Sequence, residues 1–561
     1  MIKTFNIRFK EYTLFTILVC FFFQSFSQTD PSKPNIIICV TDDQGWGDIA
    51  YYNHPYVKTP VLDDMAANGI RFDRFYATAS MCSPTRAALL TGRNNMRMGI
   101  SSAVAEDQGH VPVEEITFAE ICKEQGYTAG HFGKWHVGGM PSSSSPEHIM
   151  HPGMAGFDEW FTSRNVVHTY NPYNWSDDKY PQSELYWHNG VNLKKEANHD
   201  NMPDSLKGDD SRIVMDQTMR WINESVGDNK PFCAFVNFHA MHRPLEKIPQ
   251  FDNLYDDFEL EKNVRVYMTN LSAVDHQMGR LRDTLEALGV AENTMIWFFS
   301  DNGPNNNGEM RDESPNFPGS HGQFKGSKGH LYEGGIRVPG ILEWPAKIAQ
   351  SRIENYPVNT FDILPTICDV LNVELPNRPI DGISLLPLID GSLTDSIRHK
   401  GMPFATKGWR CWMEHQYKVV AQKSSDVFEL YDIINDPYET ADLSASFPSV
   451  KSSLVTKYLN FEKSYVQSQL GADYIQSSSD IIQKDIELKI YPNPATDYIT
   501  VGSSENFCNI IIYNSGGREV YSEKFHGKTK TISLDGFESG VYIVKTKKRY
   551  SFESVKFSLL N

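Results

Sequence analysis

The 8 cysteines stand singly, without a Cys-x-x-Cys pair, which excludes a zinc ribbon or a thioredoxin-type site. Basic charge is in deficit: 53 Lys and Arg face 70 Asp and Glu, for a formal net charge of −17. That balance excludes nucleic acid as the principal partner, since phosphate backbones are bound by basic surfaces. An anionic substrate then requires cations gathered into one pocket. Past residue 28 no apolar run reaches the ~20 residues of a membrane-spanning helix, so no transmembrane segment is expected. Compositional bias is missing too. With 40% apolar, 22% charged and 12% aromatic residues, the chain is no collagen, coiled coil or largely disordered polymer. Its 561 residues suffice for several domains.

The two ends read as addresses. Lys3, Arg8 and Lys10 precede an apolar stretch over 13–23, and Ser25 and Ser27 are small enough to flank a cleavage point. Residues 1–28 are therefore expected to be a secretory signal peptide. Over 467–487 the chain turns polar and rich in Ser and Gln, as linkers do. Short alternating stretches follow at 488–491, 498–501, 509–513, 531–534 and 541–545. Turn residues such as Pro492-Asn-Pro494, Ser515-Gly-Gly517 and Ser539-Gly540 punctuate them. Residues 488–561 are thus expected to form a separate small all-β sandwich.

Residues 29–466 carry a different pattern. The stretches 35–41, 232–238 and 294–299 are continuous apolar runs, which suit strands buried on both faces of a parallel sheet. Leu271, Val274, Met278, Leu281, Leu285 and Leu288 repeat at helical steps immediately before the third run. The expected fold is α/β: a large mixed, mostly parallel sheet sandwiched by helices, with a smaller C-terminal subdomain from about 356. Ligands in such folds collect beyond the carboxyl ends of the strands. Acidic groups sit at two of those ends, Asp42-Asp43 and Asp301-Asn302. Each pair alone also suits a helix cap or a turn. Together they suit a hard divalent cation, and no His or Cys spacing for zinc accompanies them.

Two resemblances sharpen this reading. Tyr491-Pro-Asn-Pro-Ala-Thr-Asp, Tyr513-Asn-Ser-Gly-Gly-Arg518 and Gly540-Val-Tyr-Ile-Val resemble the C-terminal sorting domain of the Bacteroidetes type IX secretion system. That resemblance implies a Bacteroidetes protein handed to the secretion machinery and released or held at the cell surface. Cys82-Ser-Pro84-Thr-Arg86, followed by Leu90-Thr-Gly-Arg93, resembles the signature of the type I, formylglycine-dependent sulfatases of the alkaline phosphatase superfamily. Five further elements resemble that family in its order. Gly133-Lys134-Trp-His136 brings Lys134 and His136, and Asn237-Phe-His-Ala-Met241-His242-Arg-Pro244 brings His242. Gly326-Ser-Lys328-Gly-His-Leu-Tyr-Glu333-Gly-Gly335 brings Lys328, while Asp381-Gly-Ile-Ser and Glu429-Leu-Tyr-Asp resemble landmarks of the smaller subdomain. Met241 stands where the family usually has proline.

The family resemblance implies a catalytic set of Cys82, Arg86, Lys134, His136, His242 and Lys328. It also implies a Ca²⁺ site of Asp42, Asp43, Cys82, Asp301 and Asn302. Cys82 would be oxidised by a formylglycine-generating maturase to an aldehyde that hydrates to a gem-diol. One hydroxyl would attack sulfur, His242 with Lys328 would assist the leaving oxygen, and His136 would take the proton of the second hydroxyl as sulfate leaves. The expected substrates are sulfated polysaccharides or their oligosaccharides, with ulvan, carrageenan or fucoidan ahead of glycosaminoglycans. Phosphodiester or phosphonate hydrolysis, or glycan binding without turnover, are the alternatives. The stretch 161–198 is rich in aromatics and histidines (Phe161, His168, Tyr170, Tyr173, Trp175, Tyr180, Tyr186, Trp187, His188), as sugar-stacking subsites are. The same residues also suit a packing loop.

Overall fold

The strand Asn35–Thr41 sets the architecture. Ile36, Ile38 and Val40 pack into one buried cluster, and Ile37 and Cys39 into another, so both faces of the strand are covered. The computed structural model describes residues 33–103, 110–140, 150–174, 185–193, 204–306, 318–423, 425–474, 488–514, 519–548 and 552–559. The expected signal peptide lies outside them.

Five parallel strands form the middle of a 10-stranded sheet, in the order Thr294–Ser300, Asn35–Thr41, Phe232–Asn237, Thr128–Lys134 and Glu159–Ser163. Gly340–Glu343 extends one side antiparallel, and Trp187–His188 extends the other. Helices Cys82–Thr91, Phe118–Glu124 and Ile363–Val370 cover one face through Ala87, Leu90, Phe118 and Ile367. Helices Pro60–Asn68, Asp210–Gly227 and Lys262–Ala287 cover the other. The helix expected from Leu271 to Leu288 is the last of these, with Leu288 as its C-cap. The mostly parallel α/β sandwich is as expected.

The smaller subdomain is a four-stranded antiparallel sheet, Met402–Thr406, Trp409–Glu414, Tyr417–Ala421 and Phe428–Asp432. Helix Pro448–Gln469 packs Leu454, Tyr458 and Phe461 on one of its faces. A buried ion cluster joins the opposite side to the catalytic body: Lys418 Nζ lies 2.9 Å from carboxylate oxygens of both Glu333 and Glu439, all three fully buried. Lys418→Met leaves Glu439 without this cation and Glu333 with only Arg337 at 3.4 Å, and is expected to cost about 3–5 kcal/mol. Thermal unfolding checks this; an unchanged midpoint would show that the cluster holds nothing together.

Two boundaries differ from expectation. The helix runs on to Gln469, and Asp473 and Tyr474 dock on Arg93 and Glu115. The body therefore extends through Tyr474 instead of ending at 466. Polar composition suggested a linker there, but those polar groups are bonded to the body. In the C-terminal unit, the stretches 498–501 and 509–513 belong to one long strand, Tyr498–Asn514, which pairs with Glu519–Ser533 and Gly540–Lys548. Phe552–Leu559 adds a further strand.

Candidate active site

Each parallel strand ends by delivering a polar group to the same edge. Asn35–Thr41 leads into Asp42 and Asp43, Thr294–Ser300 into Asp301 and Asn302, Thr128–Lys134 ends on Lys134, and Phe232–Asn237 ends on Asn237. Asp42, Asp43, Asp301, Asn302 and Lys134 are at most 2% exposed. Backbone bonds knit the loops: the Asp42 amide donates to Ala240 O (3.0 Å), the Asp301 amide to Thr41 O (3.0 Å), and the Lys328 amide to Pro304 O (3.0 Å). The Lys328 loop is pressed against the strand end by glycines. A β-carbon on Gly303 would lie 2.1 Å from Gly334 O, and one on Gly334 2.2 Å from Gly326 O, so no side chain fits at either.

Cys82 is the first residue of helix Cys82–Thr91, where the helix dipole is positive, and it is 1% exposed. Its Sγ lies 3.3 Å from Asp42 Oδ1. Burial first, and then Asp301 and Asp42, push the Cys82 thiol far above the ordinary range, so this sulfur stays protonated. One turn on, Arg86 donates from Nε to Asp301 Oδ2 (2.9 Å) and from Nη1 to Asn237 Oδ1 (2.6 Å). Lys134 donates to Asp42 Oδ2, and Lys328 to Asp43 Oδ1 at 2.5 Å. Burial alone would lower the Lys328 ammonium, but Asp43, Cys82 and Asp42 carry it above the usual lysine range.

The carboxylates respond to the same field. Burial would raise Asp42, yet Lys134, His242, Arg86 and Lys328 together hold it well below the usual range. Asp301 goes the other way, pushed up to about 6 by burial and by Asp42 in spite of Arg86. Asp42, Asp43, Cys82 and His242 bring ligand atoms within 4.8 Å of one another. Asp301 Oδ1 joins them through the Asp43 amide (3.4 Å), and Asn302 through its Nδ2 on Asp43 Oδ1 (2.8 Å). Two buried acceptors, Asp43 Oδ2 and Asn302 Oδ1, make no hydrogen bond among the described residues. Spare oxygen acceptors within a carboxylate cluster fit a hard divalent cation.

His136 and His242 flank this cluster. His136 is held at φ +55°, with its amide on Arg164 O at 2.9 Å, and burial followed by the Lys134 charge keeps its ring neutral. Its Nδ1 is buried and makes no hydrogen bond among the described residues. His242 Nδ1 lies 2.5 Å from Arg243 O, which turns Nε2 toward Asp43 Oδ2 at 3.8 Å. Burial, then Lys328, pushes His242 down to about 4. The peptide bond into Met241, where the family usually has proline, is cis.

All the expected site residues thus converge on one edge of the sheet. Sequence reading passed over Asn237, which grips Arg86 and donates to His131 Nε2 at 3.2 Å. It also passed over Ser163, Asp210 and His239, which form a buried chain beside the histidines. Position at a strand's carboxyl end marked Asn237; nothing local marked Asp210. Within the aromatic stretch, the packing alternative holds for four of the residues. Phe161, Tyr173 and Tyr186 are at most 5% exposed and belong to the core, and Trp187 packs in the opposite core cluster. They fill space beneath the sheet edge and offer no ring face to a sugar. Trp175 and Tyr180 lie outside the described residues.

The profile of the sulfatase family matches residues 34–373. That of the N-sulphoglucosamine sulphohydrolase C-terminal region matches 319–463, and that of the secretion system C-terminal sorting domain 489–559. N-acetylgalactosamine-6-sulfatase of Canis lupus familiaris is 32% identical over 381 residues, spanning 65% of this chain and 68% of that one. Arylsulfatase G of Rattus norvegicus is 31% identical over 390 residues, covering 65% and 70%. Among solved structures, Ps i-CgsB in complex with k-i-k-neocarrahexaose superposes with a TM-score of 0.67 at 24% identity, over 76% of this chain and 92% of that one. The sorting domain marks the protein for secretion or attachment to the cell surface, and no helix among the described residues is long and apolar enough to cross a membrane. With a thiol beside a carboxylate cluster and three cations around it, the chain belongs to the sulfatase family, enzymes that hydrolyse sulfuric esters.

Proposed function

We propose that this sulfatase is exported to remove sulfate from sulfated polysaccharides or their oligosaccharides, with formylglycine at position 82. The observation that carries the reading is the convergence of Arg86, Lys134 and Lys328 on the carboxylates around Cys82. Formylglycine, made from the cysteine by a maturase, supplies a hydrated aldehyde as nucleophile where the buried thiol offers none. Asp42, Asp43, Asp301 and Asn302, with residue 82, would hold Ca²⁺, which supplies charge that polarises sulfuryl oxygens and lowers the pKa of a neighbouring hydroxyl.

The chain's own groups do the rest. Lys134 and Lys328 face the developing negative charge from fixed positions, so no reorganisation is needed as it grows. Arg86, clamped by Asp301 and Asn237, fixes the floor on which residue 82 sits. His242 directs Nε2 at the leaving oxygen; an anionic ester beside it favours the protonated ring, and Lys328 supports the donation. His136, neutral and with Nδ1 unengaged among the described residues, accepts a proton from the oxygen at position 82.

Glycan substrates are supported by the sorting domain and by the similar proteins, one named for N-acetylgalactosamine 6-sulfate chemistry and one solved with a neocarrahexaose. We place ulvan, carrageenan and fucoidan ahead of glycosaminoglycans. Sulfate release from a panel of these polymers decides it. Hydrolysis of phosphodiesters or phosphonates alone would overturn the reading. In active protein, the peptide containing residue 82 is expected to be about 18 Da lighter than the cysteine form, a covalent change that peptide mass spectrometry reads directly. Full activity with only unmodified Cys82 would exclude the mechanism.

A further inference from the structure

Behind the two catalytic histidines runs a chain of four fully buried polar side chains: Tyr186, Asp210, His239 and Ser163, each 0% exposed. Tyr186 Oη donates to Asp210 Oδ1, and Asp210 Oδ2 lies 2.8 Å from His239 Nδ1. His239 Nε2 lies 2.5 Å from Ser163 Oγ, which also bonds Asn165 O at 2.8 Å. Asp210 occupies the first turn of helix Asp210–Gly227, where a carboxylate is favoured by the helix dipole. None of these groups touches the cation cluster, so the sulfate-binding charges do not account for them.

The chain ends on the backbone that carries the histidines. Ser163 O accepts from the Trp135 amide (3.0 Å) and Arg164 O from the His136 amide (2.9 Å). The Ser163 hydroxyl closes the Ser163–Arg164–Asn165 turn, and that turn holds His136 in its left-handed conformation. On the other side, His239 O accepts from the His242 amide at 2.8 Å. The side-chain contact between Ser163 and His239 therefore ties the loop bearing His136 to the loop bearing His242.

We propose that His239 is a positioning residue: through Ser163 and Asp210 it sets the placement of His242 relative to His136 across the sulfate ester. The proposal rests on the sulfatase reading. His239 does not reach substrate; it acts through the turn it anchors. Proton donation to the leaving oxygen is the step most sensitive to where His242 Nε2 sits, because proton transfer needs hydrogen-bond distance.

The test compares two aryl esters. Phenyl sulfate needs a proton at its leaving oxygen; 4-nitrophenyl sulfate departs as a stable anion and needs it far less. For Ser163→Ala and His239→Asn, kcat on phenyl sulfate is expected to fall about 10- to 100-fold, as small misplacements of catalytic groups do, with KM unchanged. On 4-nitrophenyl sulfate the fall should stay within about threefold, since general acid assistance contributes little there. Ser163→Thr keeps the hydroxyl and should restore the wild-type ratio. Ser163→Ala removes one atom, so it keeps the test open if His239→Asn fails to fold. Equal losses on both esters, or a lowered unfolding midpoint with the ratio unchanged, would show the chain to be scaffolding and overturn the proposal. A wild-type protein that releases sulfate from neither ester, nor from any glycan, overturns the sulfatase reading and the proposal with it.

Discussion

Cys82→Ser is expected to lower sulfate-ester turnover by about four to six orders of magnitude while leaving the fold intact, as loss of a nucleophile does. The oxygen replaces a sulfur that is 1% exposed at the start of helix Cys82–Thr91, and it is smaller, so the packing tolerates it. Chemistry is what fails. A serine hydroxyl among Lys134, Lys328 and Arg86 still meets the sulfuryl group, but once sulfated it has no second hydroxyl whose proton His136 can remove to expel sulfate. The variant should therefore react once and stop, its mass rising by one sulfo group. An unconverted cysteine fails for another reason: burial, Asp301 and Asp42 keep its thiol protonated. Steady-state sulfate release and intact mass after incubation with substrate check both halves. Turnover within about tenfold of wild type would place the nucleophile elsewhere, because no partial loss of this kind follows from deleting one.

How far the sequence carried this reading depended on the range of the interactions. Asp42 and Asp301 were legible because an apolar run fixes a strand, a strand fixes its carboxyl end, and the polar residue following it has one place to go, whereas Lys134 was legible only through the Gly-Lys-Trp-His resemblance. Arg86 was legible because it lies one helical turn beyond Cys82. The Asp210–His239–Ser163 chain joins the start of a helix, a loop and the end of a strand, and no periodicity within any of them announces a contact 76 residues apart. The aromatic stretch stayed open between two readings for a related reason. Aromatic rings serve sugar stacking and core filling equally well, and only the depth of Phe161 and Tyr186 beneath the sheet edge decides between them. In the C-terminal unit, the gap between the stretches 498–501 and 509–513 lies within one strand: register shifts between Gly502 and Asn509 interrupt the pairing of Tyr498–Asn514 without ending it.

Truncation shows where the catalytic body ends, and two end points should behave differently. A chain stopped at residue 480 is expected to keep close to full activity, because it loses only the sorting unit and residues of the expected linker. A chain stopped at Leu470 is expected to be less stable by about 3 kcal/mol, the scale of breaking a buried charged pair. The reason is Arg93, the last residue of the Leu-Thr-Gly-Arg element, whose side chain is fully buried between Glu115 at 2.8 Å and Asp473. Tyr474 Oη donates to Glu115 at 2.7 Å, and Arg378 lies 5.3 Å over the Tyr474 ring. Removing Asp473 and Tyr474 leaves Arg93 short of one carboxylate and Glu115 short of one donor. Arg93 follows the helix that begins at Cys82, so the loss should appear as earlier thermal inactivation and as a lower unfolding midpoint. The nearby clasp of Arg97 on Asp381, Ser464 and Ser468 survives both cuts and cannot account for a difference between them. In the native bacterium, both truncated chains should remain inside the cell envelope, since each lacks the sorting domain. Secretion of the 480 chain at the normal level, with turnover on polymers lost, would make the C-terminal unit a glycan-binding module instead. Equal midpoints for the two chains would show that Arg93 does not depend on the segment beyond Leu470.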